Sequence, residues 1–316
     1  MQKDRELQLP KAFKLTERLM GNTFELTVVA NSEEWAMQKI RLAIDEIKRI
    51  EKVFTTFDEN SQTNQINKQA GIGPVRVDPE VYQLIERSIR ISAITDGAFD
   101  LNYGSIDRKL WNFDSTMTRL PDSETARSMV RLIDYKHIIL DPANNTVMLK
   151  EKGMRIGFGG IGKGYAAEMA KSLLKKEGVD AGIVNASGDL TAWGTQPNGE
   201  PWTIGIVDPD HKNTPFSYLN VTDMAVATSG NYEKFVNIGG KKYSHTINPK
   251  TGLPVSGIKS VTIISPNAEI ADAMATPVTV MGISAGLDMI NQINYLGCII
   301  VDDNNKIYTS KNINLK

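Results

Sequence analysis

Cysteine is nearly absent: Cys298 is the only one in a chain of 316 residues. One thiol cannot close an intramolecular disulfide, nor can it supply a thiolate-rich zinc or iron–sulfur site. Histidine is almost as scarce, with only His137, His211 and His245. That argues against a multi-histidine metal centre and turns attention to hard oxygen ligands for any metal. There is no excess of either charge, because 36 Lys+Arg stand against 37 Asp+Glu for a net charge of −1. A nucleic-acid binder driven by counterion release needs a basic surplus that this chain lacks, so no nucleic-acid partner is expected. No run reaches the roughly 18 apolar residues of a membrane-spanning helix, so no transmembrane segment is expected. The opening residues Met1-Gln2-Lys3-Asp4-Arg5-Glu6 are charged and lead into no apolar core of a signal peptide. A cytoplasmic protein is the expectation, with a trimmed exported or lipid-anchored form as the alternative.

What is present suits a globular chain with a real core: 41% apolar and 23% charged residues. The length allows two domains or one large one. No repeat, low-complexity tract or linker marks a boundary. The expected organisation is a polar arm over residues 1–17 and one domain over 18–316.

Phe24 to Ala30 alternates and is β-rich, reading as a strand. Asn31-Ser32 supplies an N-cap, and Trp35, Ile40, Ala43, Ile47, Ile50 and Phe54 follow at helical spacing. Residues 57–79 are polar and read as a surface loop. Residues 79–94 resume a helical pattern that stops at Thr95-Asp96-Gly97, and residues 123–133 also look helical. Asp141 to Asn145 marks a hairpin turn. A strand-like Met154-Arg155-Ile156 meets a glycine cluster, then a helix over 165–176 and a buried strand over 181–184. Further strands are expected at 202–207, 224–227, 260–264 and 296–301, with a last hairpin at 302–305. The fold class is mixed α/β (α+β).

Four constellations could carry chemistry. Gly157-Phe158-Gly159-Gly160-Ile161-Gly162 satisfies G-x-G-x-x-G ahead of a helix, with Asp180 further on. It reads either as a dinucleotide cradle or as a tight turn with close helix packing. Asn185-Ala186-Ser187-Gly188-Asp189 ends a strand with small residues and one carboxylate. Ala227 to Tyr232 precedes Ser244-His245-Thr246 and the turn Asn248 to Gly252, where a histidine of near-neutral pKa could act as a general base. Asp272 and Thr276 stand four apart. On a helix they share a face and could hold one Mg²⁺ or Ca²⁺.

Taken in order, these blocks resemble the FAD:protein FMN transferase (ApbE-like flavin transferase) family. The match starts at Met20-Gly21-Asn22-Thr23 and runs through Thr56 to Ser61, Asn67, Asp96-Gly97-Ala98-Phe99-Asp100 and the glycine cluster with Lys163-Gly164-Tyr165-Ala166. It continues with Asn185 to Asp189, Ala227 to Tyr232, His245 to Gly252 and Ala271 to Gly282. The resemblance implies two sheet-containing halves around an FAD cleft. It also implies an enzyme that uses FAD as a substrate, moves FMN onto a Thr (or Ser) hydroxyl of a target flavoprotein and releases AMP. Hydrolysis of FAD to FMN and AMP, and flavin binding without chemistry, are the alternatives.

By the same resemblance, Met20, Phe57, Ala98, Phe99, Asp100, Lys163, Ser187, Gly188, Asp189 and Thr246 contact FAD. Gly160, Asp272 and Thr276 hold Mg²⁺, or alternatively Ca²⁺, and His245 is the general base. Two positions depart from the family. Phe57 stands where Tyr is commoner, which removes a hydroxyl but keeps a ring, and Gly157-Phe158-Gly159 replaces Asp-Leu-Gly, removing an acidic contact to FAD.

Overall fold

The computed structural model describes residues 9–106, 118–207, 215–230 and 235–313. The chain opens with a hairpin of β1 (Lys11–Leu19) and β2 (Asn22–Ala30). Its two-residue turn puts Met20 at φ 52° and Gly21 at φ 71°, the left-handed geometry that matches strand twist. Ser32 then caps α1 (Glu33–Phe54), whose buried stripe includes Ile40, Ile44, Ile47 and Ile50. α2 (Gln62–Lys68), β3 (Val75–Arg76) and α3 (Pro79–Ile94) follow. A 3₁₀ turn (Leu101–Ser105) and α4 (Ser123–Met129) precede a second 3₁₀ turn (Tyr135–His137) and the hairpin β4 (Ile138–Asp141) and β5 (Thr146–Leu149).

α5 (Gly162–Lys176) leads to the hairpin β6 (Gly182–Ala186) and β7 (Asp189–Trp193), then β8 (Trp202–Val207), β9 (Pro215–Val221) and β10 (Met224–Gly230). β11 (Phe235–Ile238), β12 (Lys241–Ser244) and β13 (Ile258–Ser265) come next. The described chain ends with α6 (Ala268–Met281), α7 (Ile283–Ile290), β14 (Gly297–Asp302) and β15 (Ile307–Thr309).

An eight-stranded sheet in the order β1-β2-β6-β7-β10-β13-β14-β15 is the frame, with small sheets β3-β5-β4, β8-β9 and β11-β12 around it. Helices α1, α5 and α6 pack on the frame and on one another. The β8-β9 hairpin contributes Trp202, Ile204 and Ile206 to a second apolar cluster with Leu190, Val226 and Ile299 of the frame. Both faces are thereby covered at the centre, and all eight residues of β13 are buried.

The mixed α/β class stands. Four local expectations change. Residues 11–17, expected in a polar arm, form most of edge strand β1, where Lys14 pairs with Glu25; residues 1–8 lie outside the described chain. Charged residues on an edge strand keep it from pairing with other chains, and they also hide it from a hydropathy reading. The polar stretch 57–79 contains α2, because its polar groups are satisfied inward: the Asn64 carboxamide donates to the Thr56 and Asp58 carbonyls at 2.9 and 2.8 Å. Residues 154–156 form no strand, and each neighbouring pair in the frame is antiparallel. The glycine cluster therefore lies in no parallel βαβ unit, which removes the dinucleotide-fold reading of G-x-G-x-x-G.

Candidate active site

The glycine cluster does open a helix. α5 begins at Gly162, so Lys163 and Gly164 sit in its first turn. At Gly164 the helix meets α6 backbone to backbone: a β-carbon there would lie 2.2 Å from the Ala268 carbonyl oxygen and 2.6 Å from the Asp272 β-carbon. That contact brings the Gly164 amide within 2.9 Å of Asp272 Oδ2, to which it donates. A carboxylate at the positive end of a helix is held by both the hydrogen bond and the macrodipole.

Asp189 arrives from another direction. Ser187, at φ 56°, and Gly188, at φ 102°, make the two-residue turn between β6 and β7. Asp189 is the first residue past that turn and is buried. Its Oδ2 lies 2.6 Å from Lys163 Nζ, and its Oδ1 accepts from the Thr228 amide at 3.2 Å. Burial pushes the Asp189 carboxyl up, and the Lys163 ammonium pulls it back. Burial, then repulsion from Asp189, raises Asp272 to about 7. Among the described residues, two buried carboxylates thus lie in the field of the Lys163 ammonium.

Other expected residues gather around this point. A β-carbon on Gly160 would meet the Phe99 ring at 3.5 Å, and one on Gly162 would meet the Met20 methyl at 3.6 Å. Met20, Phe99 and Gly160 therefore line the same glycine segment. Ala98 and Phe99 are buried, as is Asp100. Both Asp100 oxygens are taken by backbone amides, from Asn102 at 2.8 Å and from Tyr135 at 2.7 Å. Burial raises its carboxyl to about 7. Thr276 follows Asp272 by one turn on α6 and is half-buried.

Phe57 stands apart, 97% exposed on the loop after α1. The neighbouring Thr56 methyl would lie 3.7 Å from a β-carbon on Gly157, so this loop flanks the glycine segment. His245 is exposed just past β12, while its neighbours Ser244 and Thr246 are buried. Asn231 and Tyr232 lie outside the described residues.

Sequence reasoning missed the polar groups that hold these helices. Arg87 of α3 grips Glu269 of α6 through two bonds at 2.6 and 2.9 Å, while the Tyr165 hydroxyl of α5 donates to Glu80 of α3. It also missed Tyr103, whose hydroxyl accepts from the Ile247 amide at 2.8 Å. No local pattern announces pairs so far apart in the chain.

The fold is that of the ApbE structures. The ApbE protein from Thermotoga maritima superposes with a TM-score of 0.84 at 30% identity, over 95% of this chain and 97% of that one. The apo form of the Pseudomonas stutzeri flavinyl transferase ApbE shares the fold at a TM-score of 0.82 and 24% identity, over 96% and 95% of the two chains. The chain belongs to the ApbE family, whose sequence model matches residues 20–300. An FAD:protein FMN transferase from Klebsiella pneumoniae (strain 342) is 30% identical over 302 residues, covering 95% of this chain and 92% of the relative.

Proposed function

We propose that this chain is an FAD:protein FMN transferase that works with Mg²⁺, places FMN on a Thr hydroxyl of a target flavoprotein and releases AMP. The family match supports the activity. The observation that carries the chemistry is the buried Asp189–Lys163–Asp272 cluster at the opening of α5. Its donors are hard oxygens, and burial together with repulsion from Asp189, which lifts Asp272 to about 7, is what a divalent cation would offset. The residues therefore fit Mg²⁺, with Ca²⁺ the alternative. Asp272, Thr276 and the Gly160 carbonyl would hold the ion. When bound, it supplies neutralising charge to the pyrophosphate.

The remaining work falls to the chain's own groups. Lys163, in the first turn of α5, presents positive charge to phosphate oxygens. Met20 and Phe99 offer apolar surface beside the glycine segment, and Phe57 offers an open ring face for a planar ligand. A threonine hydroxyl is a weak nucleophile near neutral pH and needs a base. His245 takes its proton as the threonine oxygen bonds to the FMN phosphorus, and the bond from that phosphorus to the bridging oxygen breaks. AMP leaves with that oxygen.

The test supplies FAD, Mg²⁺ and a flavoprotein subunit bearing an acceptor Thr. Wild type should give a fluorescent band on a denaturing gel with AMP in equal amount. His245→Ala should bind FAD and give no band. AMP without covalent flavin would replace transfer by hydrolysis, and equal labelling by the variant would remove His245 from its role.

A further inference from the structure

The lobe that carries His245 is rigid within itself. Ser244 donates to the Val255 carbonyl at 2.9 Å, Val255 to Thr246 at 2.9 Å, and Asn248 to Leu253 at 2.9 Å. Gly252 closes the turn by donating to Asn248 at 2.8 Å. These bonds fix the shape of the lobe. They do not fix where it sits on the protein.

Its seat comes from a different segment. Ile247, 1% exposed, packs with Met129 and Val130 in a small cluster that Tyr103 joins. Gly252, at φ 70°, lies so close to α4 that a β-carbon would meet the Ala126 carbonyl oxygen at 1.8 Å. Lys250 pairs with Asp96 at the far end of the lobe. One attachment close to His245 is the Ile247 amide, two residues on, which donates to the Tyr103 hydroxyl at 2.8 Å.

Tyr103 is itself well placed to act as a fixed point. Its 3₁₀ turn is capped by Asp100 and accepts from the Gly157 amide through the Leu101 carbonyl at 3.0 Å. Ser105 Oγ, at the end of the same turn, accepts from the Arg155 amide at 2.7 Å and donates to the Arg155 carbonyl at 3.0 Å. One turn therefore grips the start of the glycine segment on one side and the His245 lobe on the other.

We infer that Tyr103 is a positioning residue for group transfer: its hydroxyl, by accepting the Ile247 amide, sets the distance between the His245 lobe and the glycine segment. The inference rests on the reading of His245 as the base. Without the hydroxyl, the Ile247 amide loses that acceptor, and the lobe gains freedom to shift. A misplacement of about 1 Å at a reacting group can cost on the order of a hundred-fold in rate.

Tyr103→Phe tests this, because it keeps the ring and its packing and removes the hydroxyl that accepts from Ile247. The expected result is a fall in transfer kcat of roughly ten- to a hundred-fold. The KM and the dissociation constant for FAD should stay within about two-fold of wild type, since every expected FAD contact except Thr246 lies outside the His245 lobe. In a His245→Ala background, the same change should leave residual FAD cleavage as it is, because a group acting through another has nothing further to lose. An unchanged kcat in Tyr103→Phe overturns the inference. So does a parallel loss of FAD binding, which would make the tyrosine a general support of the pocket. If His245→Ala alone transfers FMN like wild type, the reading of the base falls and takes this inference with it. If that variant is inert while Tyr103→Phe is fully active, only the inference falls.

Discussion

Asp272 sits under opposed influences. The Gly164 amide and the Lys163 ammonium favour its charge, while burial and the nearby Asp189 oppose it. Asp272→Asn keeps the shape, and the amide oxygen can still accept from Gly164, so the fold should stand. The charge that would hold a divalent ion is gone. The Mg²⁺ concentration for half-maximal transfer should rise at least ten-fold, the scale on which even outer-shell changes weaken metal sites. An unchanged Mg²⁺ titration would reject Asp272 as a ligand. The Asp272–Thr276 pair was legible in the sequence because four-residue spacing has one meaning on a helix. The ion pair of Lys163 with Asp189 was not, because it depends on how a helix and a hairpin meet in space.

Among the elements, the contact of α5 with α6 decides whether the site exists. Gly164→Ala would push a methyl into the Ala268 carbonyl and the Asp272 side chain, so the helices must separate. Such overpacking costs about 1–3 kcal/mol. Thermal unfolding should show that loss, and the Gly164–Asp272 bond should go with it, lowering Mg²⁺-dependent transfer beyond the loss of folded protein. Wild-type activity per folded molecule would mean that the close approach does not shape the site. α1 and α3 were readable from their apolar spacing, and both were expected near their observed positions. β7 was not. Asp189 looked like part of a strand-ending turn, yet it opens a strand, because a two-residue turn leaves almost no polar gap between β6 and β7. α2 escaped notice for the opposite reason: its buried face includes Thr63 and Asn64, and hydropathy does not register polar groups that are satisfied inside.

Across the whole molecule, the buried acids impose a pH dependence with a definite sign. Asp100 and Asp272 are both raised to about 7 in the folded protein. In the unfolded chain an aspartate titrates near 3.9. Between those values the folded state holds protons that the unfolded state has lost, so this contribution to stability falls as pH rises from about 4 to about 7. Metal-free protein should need more urea to unfold at about pH 5.5 than at about pH 8, and Asp272→Asn should narrow that difference. Mg²⁺ added at the higher pH should recover stability by binding the ionised site. A midpoint independent of pH would show that these carboxyls ionise freely.

The order of strands in the frame also bears on how the protein is made. Met20 comes from the first hairpin, Lys163 from the middle of the chain, and Asp272 and Thr276 from a helix near its end. β2 pairs with β1 at once but finds its second neighbour only when β6 has been synthesised, and β14 and β15 join the frame after α6 has appeared. A ribosome must therefore deliver nearly the whole polypeptide before the carboxylates stand together. Messages cut short upstream of α6 yield products that lack Asp272 and Thr276, so a nascent or truncated chain cannot form the α5–α6 contact.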